Sequence, residues 1–235
     1  MSENALVKYN PKDIEVLKFI GLFGKSFAEV LGKTFYGSVQ SARNNISRMK
    51  KVGMIKQVPT GLMKPRNAVI LSSSVKRLLV DMGHTPKESR VSIGQLEHNM
   101  IEQMAYYHLS KIGEVERATV YRDKNKYHSV PDLVLTTPAG KIFVEVEMHQ
   151  KSRASYKDFV AKSSKDRPRA VLYVCQNTKI MTSIANAMPT WDKLVYIDIE
   201  TLIDNIARSS KVGATKQQDL LREDRKRADG LFNHS

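Results

Sequence analysis

From Pro11 the apolar residues Ile14, Leu17, Phe19 and Ile20 recur between charged ones, the spacing of an amphipathic helix opened by a proline. Gly21 and Gly24 weaken its end. Ser26 is placed to cap a second, short helix containing Phe27, Val30 and Leu31. A Gly-Lys-Thr-Phe-Tyr-Gly turn follows. Ser38 then starts a third helix, with Val39, Ala42, Ile46 and Met49 on one face. Gln40, Arg43, Asn44, Ser47, Arg48 and Lys50 occupy the rest of its surface, and Gly53 ends it. Two apolar runs, Met54 to Val58 and Ala68 to Leu71, flank the loop from Pro59 to Asn67. The order is helix, helix, helix, hairpin.

The polar stretch His84 to Arg90 has linker composition. Beyond it the pattern predicts a helix over 93–109, a strand over 115–121 and a turn over 123–126. Two more strands, 127–135 and 141–147, flank Thr137-Pro138-Ala139-Gly140. A helix over 152–165 comes next, anchored by Tyr156, Phe159 and Val160. The near-continuous apolar run 170–175 has the pattern of a buried central strand. A helix over 180–188, a strand over 194–198 and a short helix over 201–207 complete the series. Residues 209–235 are charged and short of apolar anchors, which predicts a mobile tail. The domains expected are therefore 1–85, 92–208 and the tail 209–235.

The hairpin carries the candidate chemistry. Pairing symmetric about Pro138 and Ala139 sets Thr137 opposite Gly140 and Asp132 opposite Glu145. Glu147 is one diagonal step away on that face. Leu133, Leu135, Ile142, Val144 and Val146 fall on the other. One face is then apolar and the other gathers three carboxylates. Directly opposed side chains have Cβ atoms roughly 5 Å apart, where like charges destabilise a sheet. Hard divalent cations prefer carboxylate oxygens and remove that repulsion. The period of two puts His128 on the same face as Val130 and Asp132, where it is suited to hold a phosphate or relay a proton. His149 continues the Glu145–Glu147 face. His98, Glu97 and Glu102 on the 93–109 helix are weaker candidates.

Composition adds a partner. The 235 residues carry a formal net charge of +14, which points to a polyanion, nucleic acid before an acidic membrane surface. Residues 1–90 hold 16 Lys and Arg against 6 Asp and Glu, so the excess is concentrated there. The single cysteine, Cys175, excludes a disulfide framework and a multi-cysteine zinc site. The chain shows neither a signal-peptide pattern nor a run of about 20 apolar residues. A cytoplasmic protein without membrane insertion is expected.

The helix-helix-helix-hairpin order of residues 10–85 resembles a winged helix-turn-helix module. That resemblance makes 38–50 the recognition helix, with Gln40, Arg43, Asn44, Arg48 and Lys50 toward a major groove. It makes the loop carrying Lys56, Lys64 and Arg66 the wing, close to phosphates. From residue 93 the element order, with Pro131-Asp132 and Glu145-Val146-Glu147 on adjacent strands, resembles the PD-(D/E)xK superfamily of restriction-endonuclease-like nucleases. The implied fold class is α/β: an N-terminal winged helix-turn-helix, then a mixed β-sheet core flanked by helices. Asp132, Glu145 and Glu147 would bind Mg²⁺ or Mn²⁺ and, with His128, form the catalytic set. One departure is Glu147, which stands where the family has lysine. Lys157 or Lys162 of the following helix is the alternative source.

The two modules in this order resemble the MOB(C) plasmid mobilisation relaxases, the MobC and TraX-like enzymes, and the related replication-relaxation family. The resemblance implies a relaxase that binds double-stranded DNA at an origin of transfer and nicks one strand, with a type IV coupling protein or an accessory nicking protein as partner. Other relaxases use a tyrosine nucleophile, for which Tyr106, Tyr107, Tyr121 and Tyr127 are available, but no three-histidine metal motif accompanies them. The competing expectations are a non-catalytic plasmid replication or transcription regulator and a nuclease that cuts both strands.

Overall fold

The structure is a computed structural model and describes residues 9–60, 67–89, 95–118 and 123–209. It is mixed α/β, with a two-stranded and a five-stranded sheet. Two compact units divide it. The first runs through Tyr107 and takes in Val146–Met148; the second holds His108–Glu145 and the chain from His149 on. The division falls inside a helix, not in the polar stretch before it.

In the first unit, helix α1 (Pro11–Phe23) starts at Asn10, whose side chain accepts from the backbone of Lys12 and Asp13. Val16, Leu17 and Ile20 point inward and are buried. The helix stops at Gly24, whose φ of 76° is the left-handed region open to glycine. A Cβ there would also lie 2.6 Å from the Glu88 carbonyl oxygen. Helix α2 (Ala28–Leu31) is entered from Phe27, without a side-chain cap. Ser26 does something else. Its backbone exchanges two hydrogen bonds with Val69, at 2.9 and 2.8 Å, adding a one-residue bridge to the hairpin.

The expected turn at 32–37 is instead a π-helical continuation of α2, Gly32–Tyr36, closed by Gly37 at φ 73°. Glycine at 32 is required by packing, because a Cβ would sit 2.8 Å from the Val39 nitrogen. Helix α3 (Val39–Lys51) is capped by Ser38 and buries Ala42, Ile46 and Met49. Strands β1 (Ile55–Pro59) and β2 (Asn67–Leu71) pair antiparallel, from Ile55 with Leu71 to Pro59 with Asn67. A further helix, α4 (Ser73–Asp81), was not expected. It is capped by Ser72 and buries Val75, Leu78 and Leu79.

Helix α5 (Leu96–Leu109) brings Tyr106 and Tyr107 to an aromatic cluster with Phe19, Phe23 and Phe35, at centroid separations of 4.7 to 6.5 Å. Edge-on aromatic pairs of this kind add about 0.5–1.5 kcal/mol each beyond area burial.

The second unit is built on a sheet ordered β3-β4-β5-β6-β7. Strand β3 (Glu114–Arg117) is shorter than expected, and 119–122 lie outside the described residues. β3, β4 (Leu133–Thr137) and β5 (Gly140–Glu147) form an antiparallel meander. Helix α6 (Arg153–Asp166), capped by Ser152, crosses to β6 (Ala170–Cys175). The Arg169 N–H donates to the Lys141 carbonyl at 2.7 Å. The starts of β5 and β6 therefore lie together, and the two run parallel. Helix α7 (Thr178–Ala187) leads to β7 (Leu194–Asp198), also parallel to β6. A last helix, α8, covers 199–209. The tail beyond it lies outside the described residues.

The core of this unit gathers Tyr127, Val134, Phe143, Tyr156, Val171, Tyr173, Cys175 and Ile184. Cys175 is a fully buried free thiol. Among the described residues no helix is long and apolar enough to cross a membrane.

Candidate functional site

The hairpin register is the one the sequence implies. Thr137 pairs with Gly140, Leu135 with Ile142 and Leu133 with Val144. One step further sets Asp132 against Glu145. Asp132 is half-buried, just before β4, and its carbonyl accepts from the Ala118 N–H at 3.1 Å. Glu145 is 9% exposed and Glu147, two residues on along β5, is 5% exposed.

The face itself is not what was expected. Asp132 and Glu145 share it with Val134 and Phe143, both in the core cluster. The acids mark one end of it, Val134 and Phe143 its middle, and Thr136 with the exposed Lys141 its other end. Asp132, Glu145 and Glu147 are all carboxylates, the ligand chemistry that hard divalent cations prefer. Among the described residues, no group of three or more His, Cys, Asp or Glu side chains stands close enough together to hold a metal ion.

The other expected members of the set lie elsewhere. His128 is not in a strand, because β4 begins only at Leu133. Its ring Nδ1 lies 2.7 Å from Asp166 Oδ1 at the C-terminal end of α6. The same carboxylate accepts the backbone N–H groups of His128 and Ser129, at 3.0 to 3.3 Å. Asp166 stands next to the start of β6, whereas Glu145 stands near the end of β5. His128 is thus tied to the end of α6 and does not continue the β4 face that carries Asp132.

His149 lies beyond the strand and is exposed. Lys162 pairs with Asp158 at 2.7 Å on the solvent face of α6, and Lys157 is exposed. The face of that helix turned inward carries Tyr156 and Ser163. In α5, Glu97 is exposed, His98 is half-buried and Glu102 is buried. Tyr106 and Tyr107 are packed in the aromatic cluster, where burial raises the pKa of both phenols. Tyr127 packs edge-on against Phe143 at 5.2 Å. Tyr121 lies outside the described residues.

In the first unit, α3 exposes Gln40, Arg43, Asn44, Arg48 and Lys50. Their commitments differ. Gln40 donates to Asn44 Oδ1 at 3.1 Å, one turn along. Lys50 reaches Gln57 Oε1 at 3.4 Å. Arg48 is held by Asp13 of α1, Nη2 to Oδ1 at 2.5 Å, and that hydrogen bond raises its pKa.

Asp13 is 2% exposed, so the guanidinium compensates a buried carboxylate. Tyr36 is the third member of this group. Burial, reinforced by the Asp13 charge, pushes its phenol up to about 12. Periodicity missed the clamp because Asp13 looks like an ordinary acid in a first helical turn.

Arg43 has no such tie. It lines an open hollow of about 300 Å³ with Glu29, Ser47, Gln57 and Asn67. Lys56 is exposed on β1. Lys64 and Arg66 lie outside the described residues.

Comparison with models of known protein families gives no match, and none is found among curated proteins either.

Proposed function

We propose that this protein grips double-stranded DNA through its first unit and nicks one strand at the acidic end of its β4–β5 hairpin. The observation that carries the reading is the β4–β5 register, which, continued one residue past the Leu133–Val144 pair, sets Asp132 opposite Glu145. Three antiparallel strands, a crossover helix and a parallel strand around that pair support a restriction-endonuclease-like core. Three helices followed by a hairpin, with the Ser26 bridge as its third strand, support a winged helix.

Asp132 and Glu145 would hold Mg²⁺ or Mn²⁺, two donors of the carboxylate chemistry such a cation prefers. A bound divalent cation supplies charge neutralisation at the scissile phosphate and lowers the pKa of its water. The chain's own contributions are distinct. The opposed carboxylates fix the donors on a rigid strand pair. α3 presents Arg43 to base edges, where an Arg–guanine pair contributes about 1–3 kcal/mol of discrimination. His128 is left out of the set, because its bond to Asp166 ties it to the end of α6. In this reading the protein acts at an origin of transfer as a mobilisation relaxase of the MOB(C) type, alongside a coupling or accessory nicking protein.

One observation favours a second reading, a non-catalytic replication or transcription regulator. The two lysines of α6 that would replace the missing one both face solvent. A supercoiled plasmid carrying the cognate origin, incubated with Mg²⁺ or Mn²⁺, separates the two. Relaxed circles that disappear in Asp132→Ala and Glu145→Ala support the nickase. Linear product points to a double-strand nuclease. Binding without cleavage in either metal leaves the regulator.

A further inference from the structure

A concentration of positive charge in the second unit has no part in the site above. It centres on the connection from α6 to β6, Asp166-Arg167-Pro168-Arg169. Arg167 and Arg169 are exposed, as is Lys165 at the end of α6. Lys141, also exposed, is brought alongside by its carbonyl, which takes the Arg169 N–H at 2.7 Å. Lys193 is brought in from the other side, its Nζ donating to the Pro168 carbonyl at 3.0 Å. Five cationic residues thus lie on or beside four residues of backbone. The acid within the segment, Asp166, is turned inward onto His128 and its side chain is only 7% exposed. Asp192, beside Lys193, and Glu114, two strands from Lys141 in the same row of the sheet, are exposed acids of the neighbourhood.

The backbone adds a second observation. Arg167 has φ 51° and ψ 47°, and among the described residues it is the one non-glycine with positive φ. The left-handed conformation costs an L-residue about 1–2 kcal/mol, and this C-terminal position is usually glycine. Here it carries a guanidinium. Favourable interaction with the helix C-terminus accounts for Lys165 and Arg167. It does not account for Arg169, Lys141 and Lys193, which lie beyond the helix end.

We infer that this surface is a second binding site for the phosphate backbone of nucleic acid. It rests on the reading that the protein engages nucleic acid, but not on cleavage. Its Lys141 lies four residues of β5 from Glu145, about 13 Å along the strand, so one duplex can reach both. The nearby aromatic, Trp191, is packed against the core and offers no platform for base stacking. The contact is therefore to phosphates, independent of sequence and strongly salt-dependent.

The test uses the full-length chain and a random-sequence duplex, with affinity measured across a salt series. The variant is Lys141→Gln, Arg167→Gly, Arg169→Gln. Glycine suits the left-handed position, so the triple variant is expected to keep its melting midpoint. Affinity is expected to fall at least about tenfold, and the slope of log K against log salt to become shallower by about 2–3. An unchanged slope overturns the proposal.

Hydrogen exchange on the unaltered protein decides the question without mutation. Slowed exchange at 165–169 on adding duplex supports the surface. Slowing confined to α3 and the β1–β2 hairpin overturns it while leaving the winged-helix reading intact. Binding to phosphatidylserine vesicles that needs these residues, with duplex binding unaffected, overturns it in favour of an acidic membrane surface.

Discussion

Replacing Arg48 tests whether α3 uses this residue to read DNA or to hold itself in place. Its guanidinium bonds the Asp13 carboxylate, which is almost fully buried, while its own side chain is 46% exposed. Removing one partner of a buried pair costs about 3–5 kcal/mol. Half of this pair is in water, so the figure for Arg48→Ala drops to about 1–3 kcal/mol. In a unit of roughly 100 residues each kcal/mol lowers the melting midpoint by about 4–8 °C, which puts the expected fall at roughly 5–20 °C. Asp13→Asn combined with Arg48→Met should recover part of it, because no uncompensated charge is left inside. Arg43→Ala should do the reverse, leaving the midpoint in place and weakening DNA binding about tenfold or more. The assays are thermal melting by circular dichroism and fluorescence anisotropy on a duplex. An Arg48→Ala protein that melts normally but loses affinity as Arg43→Ala does would refute the clamp and make Arg48 a reader.

Alkaline stability follows from two tyrosines. Tyr36 and Tyr196 are each pushed up to about 12, mainly by burial. Their pKa values are raised in the folded state, so their contribution is complete below pH 10 and is lost as pH rises toward 12. Both phenols are partly exposed, which limits each to about 1 kcal/mol. Denaturant titrations at pH 9 to 12 should show the decline, and Tyr36→Phe should flatten it. Gly24→Ala should destabilise the first unit by about 1–3 kcal/mol, since the position combines φ 76° with a carbonyl 2.6 Å from the new Cβ. Equal denaturation midpoints would argue against that close approach. Asp166→Asn should cost about 1–3 kcal/mol by weakening the hold on His128 and Ser129. His128→Ala should leave nicking within about threefold, whereas a loss comparable to that of Asp132→Ala would return His128 to the site.

Most elements are legible because their signals are local. Ser38, Ser152 and Asn10 cap where capping chemistry puts them, and Gly24 and Gly37 stop helices with positive φ. The register of the acidic hairpin follows from a two-residue turn and a period of two. What was not legible depends on partners far along the chain. Ser26 looks like a cap but is claimed by Val69. His128 fits an alternating strand pattern, yet Asp166 draws it away. The apolar middle of the acid face comes from Tyr127, Tyr156 and Tyr173 packing over Val134 and Phe143, which no hairpin reveals by itself. Helix α4 had a usable signal in Val75, Leu78 and Leu79 after Ser72, which the sequence reading left unassigned.

The same distinction changes how the net charge of +14 should be read. A cation that already compensates a buried carboxylate releases no counterion from DNA when the complex forms. Arg48 is spent on the buried Asp13, whereas the Lys126–Glu116 and Lys162–Asp158 pairs are about half exposed and are given up at little cost. Arg43, Lys56, Arg167 and Arg169 stay available. They fall in two groups, one beside α3 and the β1–β2 hairpin and one at the turn into β6. Charge alone would spread binding over the whole basic surface, with every lysine or arginine worth a similar amount. Burial of the partner concentrates it instead, so neutralising Arg48 should change stability more than salt dependence, and neutralising Arg43 or Arg169 should do the opposite.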